Sequence, residues 1–273
     1  VHYHATGTGK SWIGMHIICE YNNKYPSNNI LWLCEKKSIL VEQFDCKNVK
    51  NRNFQDIYKR FTILNYSEKK FKKWYEAVNN CSFWDKPYLL IINRAFITSN
   101  ENYKNIKNHI DLVIHDECHT IENNTTRQLF DFLSKKFNPS FIGFTATPNF
   151  NMKPYNEILS TYSIYDAFID KVVVPPKIKW FSSKLALSNE EIVMCIRELV
   201  MCKSVFYKKA IIWCGMIELC FKMAMLWQKY FPSFLISVDT CKPNSEFCSY
   251  KEFENAENNA LLFCACKHRE VPI

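Results

Sequence analysis

The chain has 273 residues, 48% hydrophobic and 23% charged, the balance of a globular protein long enough to bury a core. It has no apolar run of about 18 residues, so neither a transmembrane helix nor a membrane partner is expected. The opening Val1-His2-Tyr3-His4 has neither the basic nor the apolar segment of a signal peptide, and without a Met it reads as part of a longer protein. The formal charge is +8, which suits a polyanionic partner as well as a solvated Lys-rich surface. Thirteen cysteines, an odd count with no C-x-x-C pair, fit neither a disulfide framework nor a zinc ribbon. Reduced thiols in an intracellular, reducing compartment are expected, without structural zinc. Glycine is scarce, five in all, and Gly7 and Gly9 fall in one short stretch.

In chain order, apolar runs at 30–33, 61–64, 88–92, 112–115 and 141–144 read as strands. A second series follows at 177–181, 210–214, 234–238 and 260–264. Helical spacing between them brings Ile13, Ile17 and Tyr21 to one face over 11–21, and Leu129, Leu133 and Phe137 to one face over 125–137. Ser188-Asn189-Glu190-Glu191 reads as a capping box opening a helix with Ile192, Ile196 and Leu199 inward. Strands alternating with helices predict an α/β fold with a parallel sheet. Pro175-Pro176 cannot continue a helix and suggests a domain boundary near 170. The first domain, 1–170, would lack its first strand, and 171–273 would be a smaller second one.

Three motifs carry chemistry. His4-Ala5-Thr6-Gly7-Thr8-Gly9-Lys10-Ser11 matches the phosphate loop G-x-x-x-x-G-K-[ST] except at its first position. Backbone N–H groups at a helix start cradle phosphate oxygens, and glycines permit the close approach. Lys10 neutralises phosphate charge and the Ser11 hydroxyl ligates Mg²⁺. In Asp111-Leu112-Val113-Ile114-His115-Asp116-Glu117-Cys118-His119, an apolar strand runs into an acidic pair. Asp116 would hold Mg²⁺ and Glu117 would polarise the attacking water. His115 and His119 are four apart, but a zinc H-E-x-x-H site needs Glu directly after the first His, and a helix. Gly143-Phe144-Thr145-Ala146-Thr147-Pro148 follows another strand, with two hydroxyls able to bond between the acidic pair and a bound strand.

In this order and spacing the three motifs resemble superfamily 2 helicases of the DExH group, whose signatures are A-T-G-x-G-K-[ST], D-E-x-H and T-A-T. The resemblance is to the branch of type I and III restriction-enzyme motor subunits and large DNA virus helicases. It implies two RecA-like domains, the second incomplete here, that bind ATP with Mg²⁺ and couple its hydrolysis to movement on DNA or RNA, DNA being favoured. It assigns phosphate binding to Thr6, Gly7, Thr8, Gly9, Lys10 and Ser11, metal binding to Ser11 and Asp116, and catalysis to Glu117, Lys10 and Asp116. His119, Thr145 and Thr147 would relay nucleotide state. The stretch from Leu31 to Phe44 is similar to motif Ia, so Lys36 and Lys37 are candidate backbone contacts, as is Arg94 in a motif Ib-like segment. Lys209–Trp213 with Cys214 is similar to the motif IV strand. From Ala265 the chain resembles the start of motif V, and motif VI with its arginine finger is absent. The strand and helix that precede the phosphate loop in the family are expected to be missing. A non-catalytic binding remnant of a helicase is the alternative.

Overall fold

In a computed structural model of the chain, residues 1–35, 55–65, 86–148, 155–175, 187–200, 209–242, 246–257 and 259–265 are described. The chain divides into two compact units, Val1–Pro176 and Lys177–Ile273, where the sequence suggests a boundary near 170. In the first unit the described strands form one seven-stranded parallel sheet in the order β3-β4-β2-β5-β6-β1-β7. They are β1 (His2–His4), β2 (Ile30–Cys34), β3 (Thr62–Asn65), β4 (Tyr88–Asn93), β5 (Leu112–Asp116), β6 (Ser140–Thr145) and β7 (Ser160–Tyr162).

The central strands are buried on both faces, which is why they read as continuous apolar runs and not as alternating ones. Alternation sorts them all the same. Leu31 and Leu33 pack with Leu90, Ile92 and Val113 on one face, and Ile30, Trp32 and Cys34 with Leu89, Ile91, Leu112 and Ile114 on the other. Helix α1 (Lys10–Lys24) covers the second face, and α2 (Asn124–Phe137) covers the first. Leu129, Leu133 and Phe137 of α2 are buried as the spacing predicts. On α1 the predicted face is shifted: Gly14, Met15, Ile18 and Asn22 are buried, while Ile13, Ile17 and Tyr21 flank them half-buried. The helix is apolar over a wide arc, so periodicity alone does not fix its rotation. A close approach does. A Cβ on Gly14 would stand 2.4 Å from the Trp32 indole, so α1 lies directly on β2.

The strand expected to be missing before the phosphate loop is present as three residues, His2–His4. It pairs with β6 on one side and β7 on the other. His2 Nδ1 and His4 Nε2 each lie 2.7 Å from Ser160 Oγ, tying it to β7. His-Tyr-His contains no apolar run, and its strand state comes from partners more than a hundred residues away.

In the second unit, β8 (Lys209–Trp213), β9 (Leu235–Asp239) and β10 (Ala260–Cys264) pair in parallel in the order β8-β10-β9. Helix α3 (Asn189–Val200) opens with the predicted capping box, Glu191 accepting from Ser188 N–H at 2.8 Å and donating its own N–H to Ser188 Oγ at 3.3 Å. Val193 is buried, with Ile192 and Ile196 packed beside the core. Trp227 of α4 (Ile217–Tyr230) is buried there against Phe231 and Phe263. The strand expected at 177–181, the inward Leu199 side chain and the motif V-like residues after Ala265 lie outside the described residues.

Candidate active site

Strands β5, β6 and β1 are neighbours in the sheet, and the three sequence motifs leave their C-terminal ends. In an open parallel sheet this edge is where ligands bind. The loop after β1 turns on Gly7 (φ +82) and Gly9 (φ +86), a backbone region that side chains with a Cβ rarely adopt. Gly9 is the N-cap of α1, and its carbonyl accepts the N–H of Trp12 at 2.8 Å and of Ile13 at 3.1 Å. Thr8 Oγ1 donates to Ala5 O at 2.6 Å and closes the loop. The Lys10 ammonium reaches back across it to His4 O (3.3 Å) and Ala5 O (3.4 Å). Thr6, Gly7 and Gly9 are exposed, and Lys10 and Ser11 are half-buried at the start of the helix. Helical N–H groups, a cation and a hydroxyl thus surround one exposed loop, the chemistry an anion requires.

The acidic pair lies at the end of β5. Burial first, then the Glu117 charge, pushes the Asp116 carboxyl up to about 6, against the pull of Lys10. Two consecutive carboxylates, the first of them half-buried at the end of β5, are oxygen donors of the kind that suits a hard divalent cation. Glu117 adopts φ 54, and its N–H donates to Asp116 Oδ1 at 3.2 Å. His119 Nδ1 lies 3.1 Å from Thr145 Oγ1, 3.3 Å from Thr147 Oγ1 and 3.4 Å from Glu117 Oε2. Thr147 N–H donates to Thr145 Oγ1 at 3.1 Å. The structure therefore brings Glu117, His119, Thr145 and Thr147 together. Gly143 permits this closeness, since a Cβ there would meet Cys118 Sγ at 2.7 Å.

Lys36 and Lys37 lie outside the described residues. Arg94 has a different placement from the expected backbone contact. Its guanidinium is paired with Glu35 through Nε and, at 3.0 Å, through a terminal nitrogen, and its other terminal nitrogen donates to Thr126 Oγ1 at 2.9 Å. With its side chain only 12% exposed, it is an internal tie between strand ends. A sequence offers Arg94 as a cation but does not show the Glu35 that claims it.

Arg94 belongs to a network that the motifs do not reveal. Thr120 Oγ1 lies 3.0 Å from Glu117 O, 3.2 Å from Glu35 Oε1 and 3.2 Å from His115 Nε2, and His115 Nδ1 lies 2.9 Å from the Tyr155 hydroxyl. His115 is fully buried, and burial above all, with the nearby Arg94 charge, pushes its pKa down to about 3, so the ring is neutral. One consistent proton order follows: Tyr155 O–H donates to Nδ1, Nε2–H donates to Thr120, and the Thr120 hydroxyl donates to Glu35 or to Glu117 O. Glu117 is thus held through its carbonyl by Thr120, which is braced by His115 of β5 and by Glu35 directly after β2. In the sequence His115 stands inside the acidic motif and Glu35 and Arg94 inside the motif Ia- and Ib-like segments, but Thr120 and Tyr155 carry no signal. Both ring nitrogens of His115 are engaged here, as is Nδ1 of His119.

A seven-stranded parallel sheet with a glycine-turned loop at the end of β1 and an acidic pair at the end of β5, two strands away, is the fold of a RecA-like domain. The sequence profile of the family described as "Type III restriction enzyme, res subunit" matches residues 2–150, more than half of the chain. The chain belongs to that family. No curated protein sequence matches it. Among solved structures it is similar to a fragment of a putative HsdR subunit of a type I restriction enzyme from Vibrio vulnificus YJ016, with TM-score 0.60 and 15% identity over 97% of this chain and 49% of that one. The DEAD-box helicase Mss116 bound to ssRNA and UDP-BeF gives TM-score 0.56 and 13% identity over 97% of this chain and 56% of that one. The Hef helicase domain of Pyrococcus furiosus gives 0.53 and 12% identity, over 96% and 82%. The chain thus spans about half the length of the first two of these structures. Among the described residues, no helix is long and apolar enough to cross a membrane.

Proposed function

We propose that this chain is the nucleotide-binding part of a helicase or translocase, an ATPase whose turnover is coupled to nucleic acid. One observation carries the reading: phosphate loop, acidic pair and threonine segment converge at the ends of the adjacent strands β1, β5 and β6. In this reading the N–H groups from Gly7 to Ser11 bind the phosphates, and Lys10 leaves the His4 and Ala5 carbonyls for them. Asp116 and Ser11 would hold Mg²⁺, which neutralises charge building on the phosphates. Glu117 orients the attacking water. His119, between Glu117 and the two threonine hydroxyls, passes the state of the nucleotide to the strand-binding face. Kinship with restriction-enzyme subunits favours DNA, and Lys36 and Lys37, directly after the anchored Glu35, are the proposed phosphate contacts. Mss116 bound to ssRNA keeps RNA as the other substrate to assay.

The experiment is steady-state phosphate release with and without single-stranded DNA or RNA. Glu117→Gln should abolish turnover and leave Mg·ATP binding near wild type, whereas Asp116→Ala should weaken the Mg²⁺-dependent part of binding. Equal behaviour of the two variants would remove the division of roles. Tight Mg·ATP binding with no hydrolysis under any condition would favour the non-catalytic remnant.

A further inference from the structure

Three groups surround the Thr120 hydroxyl. Its Oγ1 lies 3.0 Å from Glu117 O, 3.2 Å from Glu35 Oε1 and 3.2 Å from His115 Nε2. The Glu117 carbonyl already accepts the Thr120 N–H at 3.0 Å, and a carbonyl oxygen has a second lone pair to offer. Glu35 is fixed in backbone and side chain. Asn93 Nδ2 donates to Glu35 O at 2.6 Å and to Cys34 O at 3.4 Å. Arg94 holds the carboxylate through Nε and, at 3.0 Å, through a terminal nitrogen. Glu35 follows β2 directly, at the edge where ligands of such sheets bind, and 22% of its side chain is open to solvent.

A hydroxyl has one proton and two lone pairs. With Tyr155 donating to His115 Nδ1 and His115 Nε2–H donating to Thr120, the Thr120 proton has two acceptors left, the Glu35 carboxylate and the Glu117 carbonyl. An ionised acceptor makes the stronger bond, so the proton goes to Glu35. We propose that Glu35 restrains turnover by holding the proton of Thr120, a positioning residue whose hydroxyl otherwise bonds the Glu117 carbonyl a second time. Glu117 sits at φ 54, and a second bond to its carbonyl narrows the range over which its carboxylate swings. A group that must meet water in one geometry gains rate from such narrowing. This inference rests on the reading of Glu117 as the group that orients water. It concerns the Glu117 backbone, whereas His119 lies against the Glu117 carboxylate.

Two substitutions release the proton by different routes. Arg94 presents two donors to Glu35, and a Gln side chain has a single acceptor oxygen. In Glu35→Gln that oxygen goes to Arg94, Thr120 faces the amide NH₂, and the Thr120 proton turns to Glu117 O. Glu35→Asp keeps the charge for Arg94 but is one methylene shorter, so its carboxylate withdraws from Thr120.

The test is steady-state phosphate release by the full chain at saturating Mg·ATP, with and without single-stranded DNA. Glu35→Gln should raise kcat about 3- to 10-fold, the weight of one hydrogen bond, and leave KM near wild type. Glu35→Asp should give a gain of the same sign. In Glu35→Gln/Thr120→Val the gain should vanish, and in Glu35→Gln/Thr120→Ser it should return. A role in packing alone would lower turnover in every one of these variants. Urea unfolding gives a readout without nucleotide. The unfolding equilibrium constants of Glu35→Gln and Thr120→Val should not combine by simple multiplication in the double variant, because both remove the same bond. The proposal is overturned by a kcat at or below wild type in the folded Glu35 variants, by a gain that survives Thr120→Val, or by unfolding effects that multiply. If the wild-type chain releases no phosphate with or without DNA, the reading of Glu117 fails and this inference falls with it. If it does release phosphate and the gain is absent, this inference alone fails.

Discussion

The phosphate loop holds its shape with glycine. Gly7 and Gly9 take positive φ, and the loop is closed by its own Thr8 and by Lys10 reaching carbonyls five and six residues back. The acidic loop two strands away also needs a positive φ, but places Glu117 there. An L-residue in that region costs on the order of 1 kcal/mol. Side chains offset it: Thr120 bonds Glu117 O, and His115, Glu35, Arg94 and Tyr155 hold Thr120 in turn. One loop is shaped by what its residues lack and the other by partners far away in sequence. Backbone-made loops tolerate change around them, whereas side-chain-made loops inherit the chemistry of every partner.

That contrast sets the order of the tests. The largest effect belongs to the acidic side and is a pH effect. His115 is pushed from 6.5 to about 3, so the unfolded chain takes up the proton first as pH falls. Stability from His115 is present above pH 6.5 and is lost on acidification towards pH 3, by about 5 kcal/mol if only this group acts. Asp116, raised from 3.8 to about 6, works the other way: its contribution is present below pH 3.8 and lost as pH rises through 6. The two oppose each other between pH 4 and 6. Urea unfolding should therefore change little between pH 4 and 6 in the wild type and show steep acid destabilisation over that range in Asp116→Asn. A flat profile in Asp116→Asn would mean that His115 is not held neutral.

Next comes the phosphate side. Lys10→Ala should cost at least about 3 kcal/mol of nucleotide binding, roughly 100-fold in affinity, with an unfolding midpoint near wild type because the two carbonyl contacts of Lys10, at 3.3 and 3.4 Å, are long. Calorimetric titration reads it, and unchanged affinity in the folded variant would sink the assignment. The smallest effect separates the loops most sharply. Thr120→Val leaves His115 and Glu35 short of a partner and should lower stability by about 1–3 kcal/mol, while Thr120→Ser should recover most of it. If valine were tolerated as well as serine, the acidic loop would not depend on the network.

The same contrast explains what could be read from the chain. The doubly buried strands were legible because β2, β4 and β5 are continuous apolar runs, and observed bounds such as Lys209–Trp213 shift the predicted ones by a residue. The shape of the loop after β1 was legible because it is local, with two glycines inside eight positions. His2–His4 was not, since pairing on both sides makes it a strand. Nor were the roles of Glu35, Thr120 and Tyr155, which meet only when β2, β5 and the segment after β6 are assembled. The pairing of Arg94 was hidden for the same reason, its partner lying 59 positions earlier. Sequence reports what a residue is able to do, and only the fold reports which partner has already taken it.

The contact of Gly14 with Trp32 carries a consequence for how this chain can change over generations. With 2.4 Å between an added Cβ and the indole, no larger side chain enters position 14 while the tryptophan stays. A smaller residue at position 32 would open a cavity beneath α1 and let the helix settle, carrying the phosphate loop at its N-terminus with it. The two positions, 18 apart, are thus bound to one mutational history, in which each limits the substitutions the other accepts. Relatives that replace the tryptophan should be those in which position 14 is no longer glycine.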